Sequence, residues 1–137
     1  MKKILFLLIS ILASVNIANA RASALSHYTA SSYSIKYVKY NFGTPYWTDW
    51  SPDYSCNIDI YFIKVQPPQI IIESQEPQVY YVVDVSDDYY DSKGFQCYDL
   101  KVINKDGYKG TIWIRCGPYY TQIYVMFADI MWVYEVR

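Results

Sequence analysis

The chain is poor in the residues on which most protein chemistry depends. It has one histidine, His27, so a Ser/His or Cys/His nucleophile system has a single candidate base. Metal sites built on histidine fail for the same reason, and Cys56, Cys97 and Cys116 lack zinc-ligand spacing. No basic patch or stripe is present, which excludes the usual footprint of a nucleic-acid binder. No internal repeat, low-complexity tract or amphipathic helical period appears after residue 20. These absences leave no cofactor or metal to assign, and they count against an enzyme.

What is present begins with an export signal. Lys2 and Lys3 precede the apolar run Ile4 to Leu12, and Ala18-Asn19-Ala20 forms a small-x-small cleavage site. Residues 1–20 therefore read as a secretory signal peptide, in a format that looks bacterial. The apolar run falls short of the roughly 20 residues a spanning helix needs, so no membrane span is expected in the mature chain. No cysteine stands beside the cleavage site, which argues against a lipoprotein anchor. The mature protein is placed in the periplasm or outside the cell. Losing two of the 12 basic residues leaves 10 against 13 acidic ones, a net charge of −3.

Residues 21–32 are small and polar and read as a flexible lead-in, with His27 a solvated linker residue. Residues 33–137 read as one β domain. Tyr33 to Phe42 alternates but changes phase midway, which predicts a β-bulge or a strong bend. Thr44 to Pro52 reads as an aromatic loop bounded by prolines. Strands follow at Asn57 to Val65, Ile70 to Ser74 and Gln78 to Val85, then an acidic loop from Ser86 to Gly94. Past Gly117-Pro118 come Tyr120 to Phe127 and Met131 to Val136.

The firmest local element is the hairpin from Phe95 to Cys116. Asn104-Lys105-Asp106-Gly107 predicts a three-residue loop closing on a glycine bulge. That turn pairs Val102 with Gly110, Leu100 with Ile112 and Tyr98 with Ile114 on one apolar face. About eight short strands with no helix predict an all-β fold, an antiparallel meander. A closed barrel is favoured over a two-layer sandwich because closure protects the terminal strands from edge pairing.

Three cysteines in an exported chain allow one disulfide and a spare thiol. The favoured pairing is Cys97 with Cys116, followed by Cys56 with Cys116, with three reduced thiols as the remaining alternative. The favoured hairpin register puts Cys97 and Cys116 on opposite faces, whereas a disulfide needs converging Cβ vectors.

The site candidates are few. Asp84, Asp87, Asp88 and Asp91 cluster along one loop rather than facing each other across a cleft, which weakens a carboxylate hydrolase. The 87–91 stretch lacks the ligand order of a calcium loop. The best candidate is Tyr46, Trp47, Asp49 and Trp50. Large rings on an exported β scaffold stack on sugars or anchor protein interfaces, although tryptophan also caps core ends. Trp113 and Trp132 lie within strand patterns and read as structural. The 17 tyrosines include adjacent pairs such as Tyr80-Tyr81, which must place some rings outside the core.

Trp47-Thr48-Asp49-Trp50, the Gln75 to Tyr80 region and the two stretches Gln122 to Phe127 and Met131 to Tyr134 resemble small uncharacterised secreted proteins of gut-type Bacteroidota. That resemblance implies export and supplies no activity. The leading expectation is a non-catalytic exported domain that binds a protein or a glycan through an aromatic surface, for example as an inhibitor of a secreted enzyme. Two alternatives are an assembly component of the cell envelope joined through strand edges and, ranked last, a small carboxylate hydrolase.

Overall fold

The computed structural model describes residues 24–63 and 67–136; the expected signal peptide lies outside them. Ten strands form one antiparallel sheet: β1 Ala24–Asn41, β2 Thr44–Trp47, β3 Tyr54–Ile63, β4 Gln69–Ile72, β5 Gln78–Val85, β6 Tyr89–Tyr90, β7 Gln96–Asn104, β8 Lys109–Cys116, β9 Thr121–Phe127 and β10 Ile130–Val136. Eight of them run in the order β1-β3-β4-β5-β7-β8-β9-β10, and β10 pairs back onto β1, so the sheet closes into a barrel. Each neighbour in the ring is the next barrel strand in sequence, as in a meander. β2 and β6 stand outside the ring, against β1 and β7.

Period-2 alternation fills the interior. Ile60, Ile70, Ile72, Leu100, Ile112, Ile123 and Val125 are almost completely buried and form one cluster with Val102, Tyr98 and Tyr134. The outer wall carries Asp99, Lys101 and Arg115 at mid-strand, on the face opposite that cluster. The polarity is therefore core inside and charge outside, the reverse of a lipid-spanning barrel.

The predicted hairpin register is the observed one. Val102 pairs with Gly110, Leu100 with Ile112 and Tyr98 with Ile114. Its turn is held by Asn104, whose Oδ1 accepts the N–H groups of Asp106 at 3.0 Å and Tyr108 at 2.9 Å. Gly107 takes the left-handed conformation with φ 86°, as the bulge requires.

Three expectations are corrected. First, residues 24–32 belong to β1 and pair with β3 over Ala24 to Tyr33. Their small side chains gave no strand pattern, but closing the ring recruits their backbone. His27 is accordingly fixed on the wall: its ring stacks on Tyr61 with centroids 4.6 Å apart, and Nε2 lies 2.8 Å from Asp59 Oδ1.

Second, the phase change after Tyr37 is not a bulge. β1 pairs with β10 through Tyr37 and with β2 from Val38 onward, so the pattern changes where the strand leaves the barrel. The register shift lies earlier, between Ala30 and Ser32.

Third, Cys97 and Cys116 are not joined, and all three cysteines are free. Cys97 sits opposite Arg115 and Cys116 opposite Gln96, so the two thiols project from opposite faces of the sheet. Cys97 is buried on the outer side, its thiol 3.4 Å from the Phe95 carbonyl. Cys116 lies inside, 3.8 Å from the Tyr98 hydroxyl. Cys56 donates to the Ala30 carbonyl at 3.4 Å. Burial pushes the Cys56 and Cys97 thiols up from their ordinary value, which keeps them in the weakly nucleophilic protonated form.

Candidate functional site, an aromatic strip on the barrel wall

The aromatic stretch is built by hydroxyl groups that stand in for a sheet ladder. After β2 the chain continues along the same edge of β1 as an irregular segment, residues 48–53. The Thr48 N–H donates to the Tyr37 carbonyl at 2.8 Å, and Thr48 Oγ1 accepts the Tyr37 N–H at 3.0 Å. Ser51 repeats the arrangement with Ile35, at 2.8 and 2.9 Å. The buried Ser34 hydroxyl donates to Asp53 Oδ1 at 2.6 Å. Five hydrogen bonds thus fix an irregular segment that ends near Pro52, a residue without a ladder donor.

This anchoring places Trp47 and Trp50 on either side of Lys36. The Lys36 ammonium lies 5.4 Å from the centre of the Trp47 ring and 4.6 Å from that of Trp50, within cation–π range of both. Trp47 and Trp50 are 37% and 38% exposed, so each is partly covered. Met131, paired with Lys36 on the outer face, is buried. The tryptophans thus lie against the wall and still present surface. Asp49 is exposed between them.

Tyr46 is separated from this group. Trp47 pairs with Val38 and Tyr46 with Lys39, and adjacent strand residues point to opposite faces. Of the four residues singled out in the sequence, two share a face, Asp49 lies between them, and Tyr46 looks the other way.

The strip continues beyond the loop through two strand residues that the sequence did not connect with it. Trp50 meets Tyr124 with ring centroids 6.1 Å apart, and Tyr124 meets Trp113 at 6.2 Å, with tilts of 60° and 61°. Trp113 and Tyr124 are direct cross-strand partners on the outer face. The Tyr124 hydroxyl donates to Gln122 Oε1 at 3.1 Å, and Arg115 Nη1 donates to the same oxygen at 2.7 Å. Burial raises the Tyr124 hydroxyl above its ordinary value, so it remains a neutral donor.

Arg115 closes the strip. Its guanidinium lies 3.9 Å from the Phe95 ring centre and binds Asp91 through Nε. That bond holds the Asp91 carboxyl below the usual carboxylate range. Asp91 also accepts the Lys93 and Phe95 N–H groups, and Asp88 accepts Gln96 Nε2 at 2.9 Å. The acidic loop is thereby folded onto the wall. Among the described residues no three His, Cys, Asp or Glu side chains converge as a metal-ligand set.

A concavity that the sequence did not signal lies at one mouth of the barrel. It measures about 440 Å³ and is lined by residues including Tyr80, Phe127 and Trp132, with Glu76, Asp106 and Asp129 among its carboxylates. The Phe127 ring lies flat on Gly110, where a Cβ would come within 2.5 Å of it, and it stacks on Tyr80 at 5.5 Å. The Trp132 Nε1–H is buried and makes no well-formed hydrogen bond, although Tyr134 is its neighbour. No signal in the sequence joins these residues, because they meet only when the barrel closes.

Comparisons with protein-family models, with curated proteins and with solved structures find no match for this chain.

Proposed function

We propose that this is an exported, non-catalytic binding domain whose partner docks on the outer wall over Trp47, Trp50, Tyr124 and Trp113. The observation that carries the reading is the strip itself. Four large rings follow one another across β2, the 48–53 segment, β9 and β8, with Lys36 between the first two and Arg115 at the far end. Tryptophan, tyrosine and arginine are the residues enriched at binding hot spots.

A protein suits this surface better than a glycan. Sugar stacking needs a free, flat ring face, whereas Trp50 has Lys36 over its ring and the following rings are tilted by about 60° to one another. A faceted strip of that kind fits side chains of a folded partner, such as a secreted enzyme that the domain inhibits. Assembly through strand edges is the weaker alternative. Ring closure leaves β2 and the two-residue β6 as the free edges among the described residues, and Pro45 removes a donor from the first. The carboxylate hydrolase stays last, since Asp88 and Asp91 are engaged by Gln96 and Arg115.

The test is affinity capture from secreted and envelope proteins, run beside a glycan array. Trp47→Ala with Trp50→Ala is expected to weaken capture by tenfold or more while circular dichroism and the melting temperature show a folded barrel. Capture unchanged in the folded double variant overturns the site. Binding confined to the glycan array replaces a protein partner with a sugar.

A further inference from the structure

The tip of the β1–β2 hairpin carries a second surface beyond the wall strip. β10 stops pairing with β1 at Tyr37, and the last rim contact is the Val38 N–H to the Asp129 carbonyl at 2.8 Å. Beyond it, Val38 to Asn41 pair only with Thr44 to Trp47. Four residues at about 3.3 Å each carry this two-stranded ribbon about 13 Å past the barrel rim.

Its tip is Phe42-Gly43, a two-residue turn with φ of 49° and 80°. A turn with both central residues at positive φ favours asparagine, aspartate or glycine in the first position, and a phenylalanine there is strained. Phe42 is nevertheless fully exposed, at 102%. The chain thus keeps a strained turn to hold a large apolar ring in solvent, and such local violations gather at working surfaces.

The residues behind the tip are ordered by depth. Next come Asn41 with Thr44, then Tyr40, itself 70% exposed, with its partner Pro45, then Lys39 with Tyr46, then Val38 with Trp47. An apolar tip, a collar of amphipathic rings and a cation behind them match the layering of a bilayer surface from acyl chains to phosphates. Residues 36–47 contain two lysines and no acidic residue, in a chain that is acidic overall. The convex shape and the missing donor at Pro45 fit a soft surface rather than strand addition by a second chain.

We propose that the β1–β2 hairpin is a peripheral membrane anchor, in which Phe42 enters the bilayer interface and Lys39 meets lipid phosphate. The barrel does not span the bilayer; the ribbon rests it on the surface. Only Trp47, at the base of the ribbon, belongs to both surfaces, and the variants below leave it in place, so this proposal stands or falls independently of the partner proposed above.

The test is sedimentation of the full mature chain with vesicles of phosphatidylcholine containing one-fifth phosphatidylglycerol, beside pure phosphatidylcholine. The expected result is co-sedimentation with both, stronger on the anionic vesicles. Phe42→Asn is expected to lose at least tenfold in vesicle affinity, and because asparagine tolerates the turn the variant should melt no lower than the parent. Lys39→Gln is expected to lose about fivefold on anionic vesicles and nothing on neutral ones. Failure to bind either vesicle overturns the proposal, as does undiminished binding by Phe42→Asn. A hairpin that serves a protein partner instead gives the first of these results.

Discussion

Two tight turns of this barrel solve the same geometric problem in opposite ways. Between β7 and β8, Asn104 caps two backbone N–H groups and Gly107 takes the positive φ. Between β1 and β2, Phe42 takes a positive φ itself and its ring touches nothing that would hide it. The first turn belongs to a hairpin that is paired on both sides in the ring; the second tips a ribbon that has left it. At Asn104 the local chemistry is satisfied, and at the outward-reaching tip the rule is broken. Ala128, the other non-glycine residue with positive φ among the described residues, sits in the β9–β10 turn at the same rim, so the strain is concentrated at one end of the molecule.

The contrast can be broken at either turn. The largest effect is expected at the satisfied one. Asn104→Ala removes the acceptor for two N–H groups and should cost about 1–2 kcal/mol, read as a lower denaturant midpoint with an unchanged slope. At the strained turn the sign reverses. Phe42→Asn should gain about 0.5–1 kcal/mol, because asparagine accepts the left-handed region at lower cost; a loss of stability there would show that the tip carries no strain.

The smallest effect concerns a third connection, the 86–95 loop. Asp91 has its carboxyl lowered in the folded state by Arg115, so the contribution of this pair is present above the unfolded carboxylate pKa, about 4. It is lost as the pH falls through the lower folded value. Amide exchange of residues 86–95 should quicken below pH 4 before that of β7 and β8 does. Arg115→Lys should move the onset to higher pH, since lysine offers no planar fork to the carboxylate.

The satisfied turn was also the legible one. Asn104, Asp106 and Gly107 announce their turn by residue type, and alternation on either side fixes which residues face inward. The all-β class and the preference for closure follow from the same kind of signal. The wall strip was legible only in part. Trp47 and Trp50 stand out because they are close in sequence, but Tyr124 and Trp113 join them through the register of β8 with β9, which no local pattern encodes. Lys36 between the indoles was missed for the same reason.

The ribbon was hidden by its own sequence. The apolar phase of Val38, Tyr40 and Phe42 looked like a bend inside a barrel strand, whereas it marks the end of the barrel's claim on β1. Residues 24–32 were misread in the other direction: serine, threonine and alanine give no pattern, yet their backbone is needed to cover the edge of β3. The disulfide shows a weak prior losing to geometry. Export and three cysteines favoured a bond, while the hairpin register that the turn imposes separates Cys97 from Cys116.

β1 serves three partners, β3, β10 and β2, one of them across the closing seam, and this has a consequence for how the chain assembles. Ala30 must meet Val136 to close the seam, a contact between the opposite ends of the domain, and loop entropy makes such distant contacts slow to form. Until β10 has been made, β1 waits with an unpaired edge that invites association with other chains. Folding speed should therefore depend on the last strand to arrive, and a cut or a permutation of the chain order at the seam should change the rate more than the final stability.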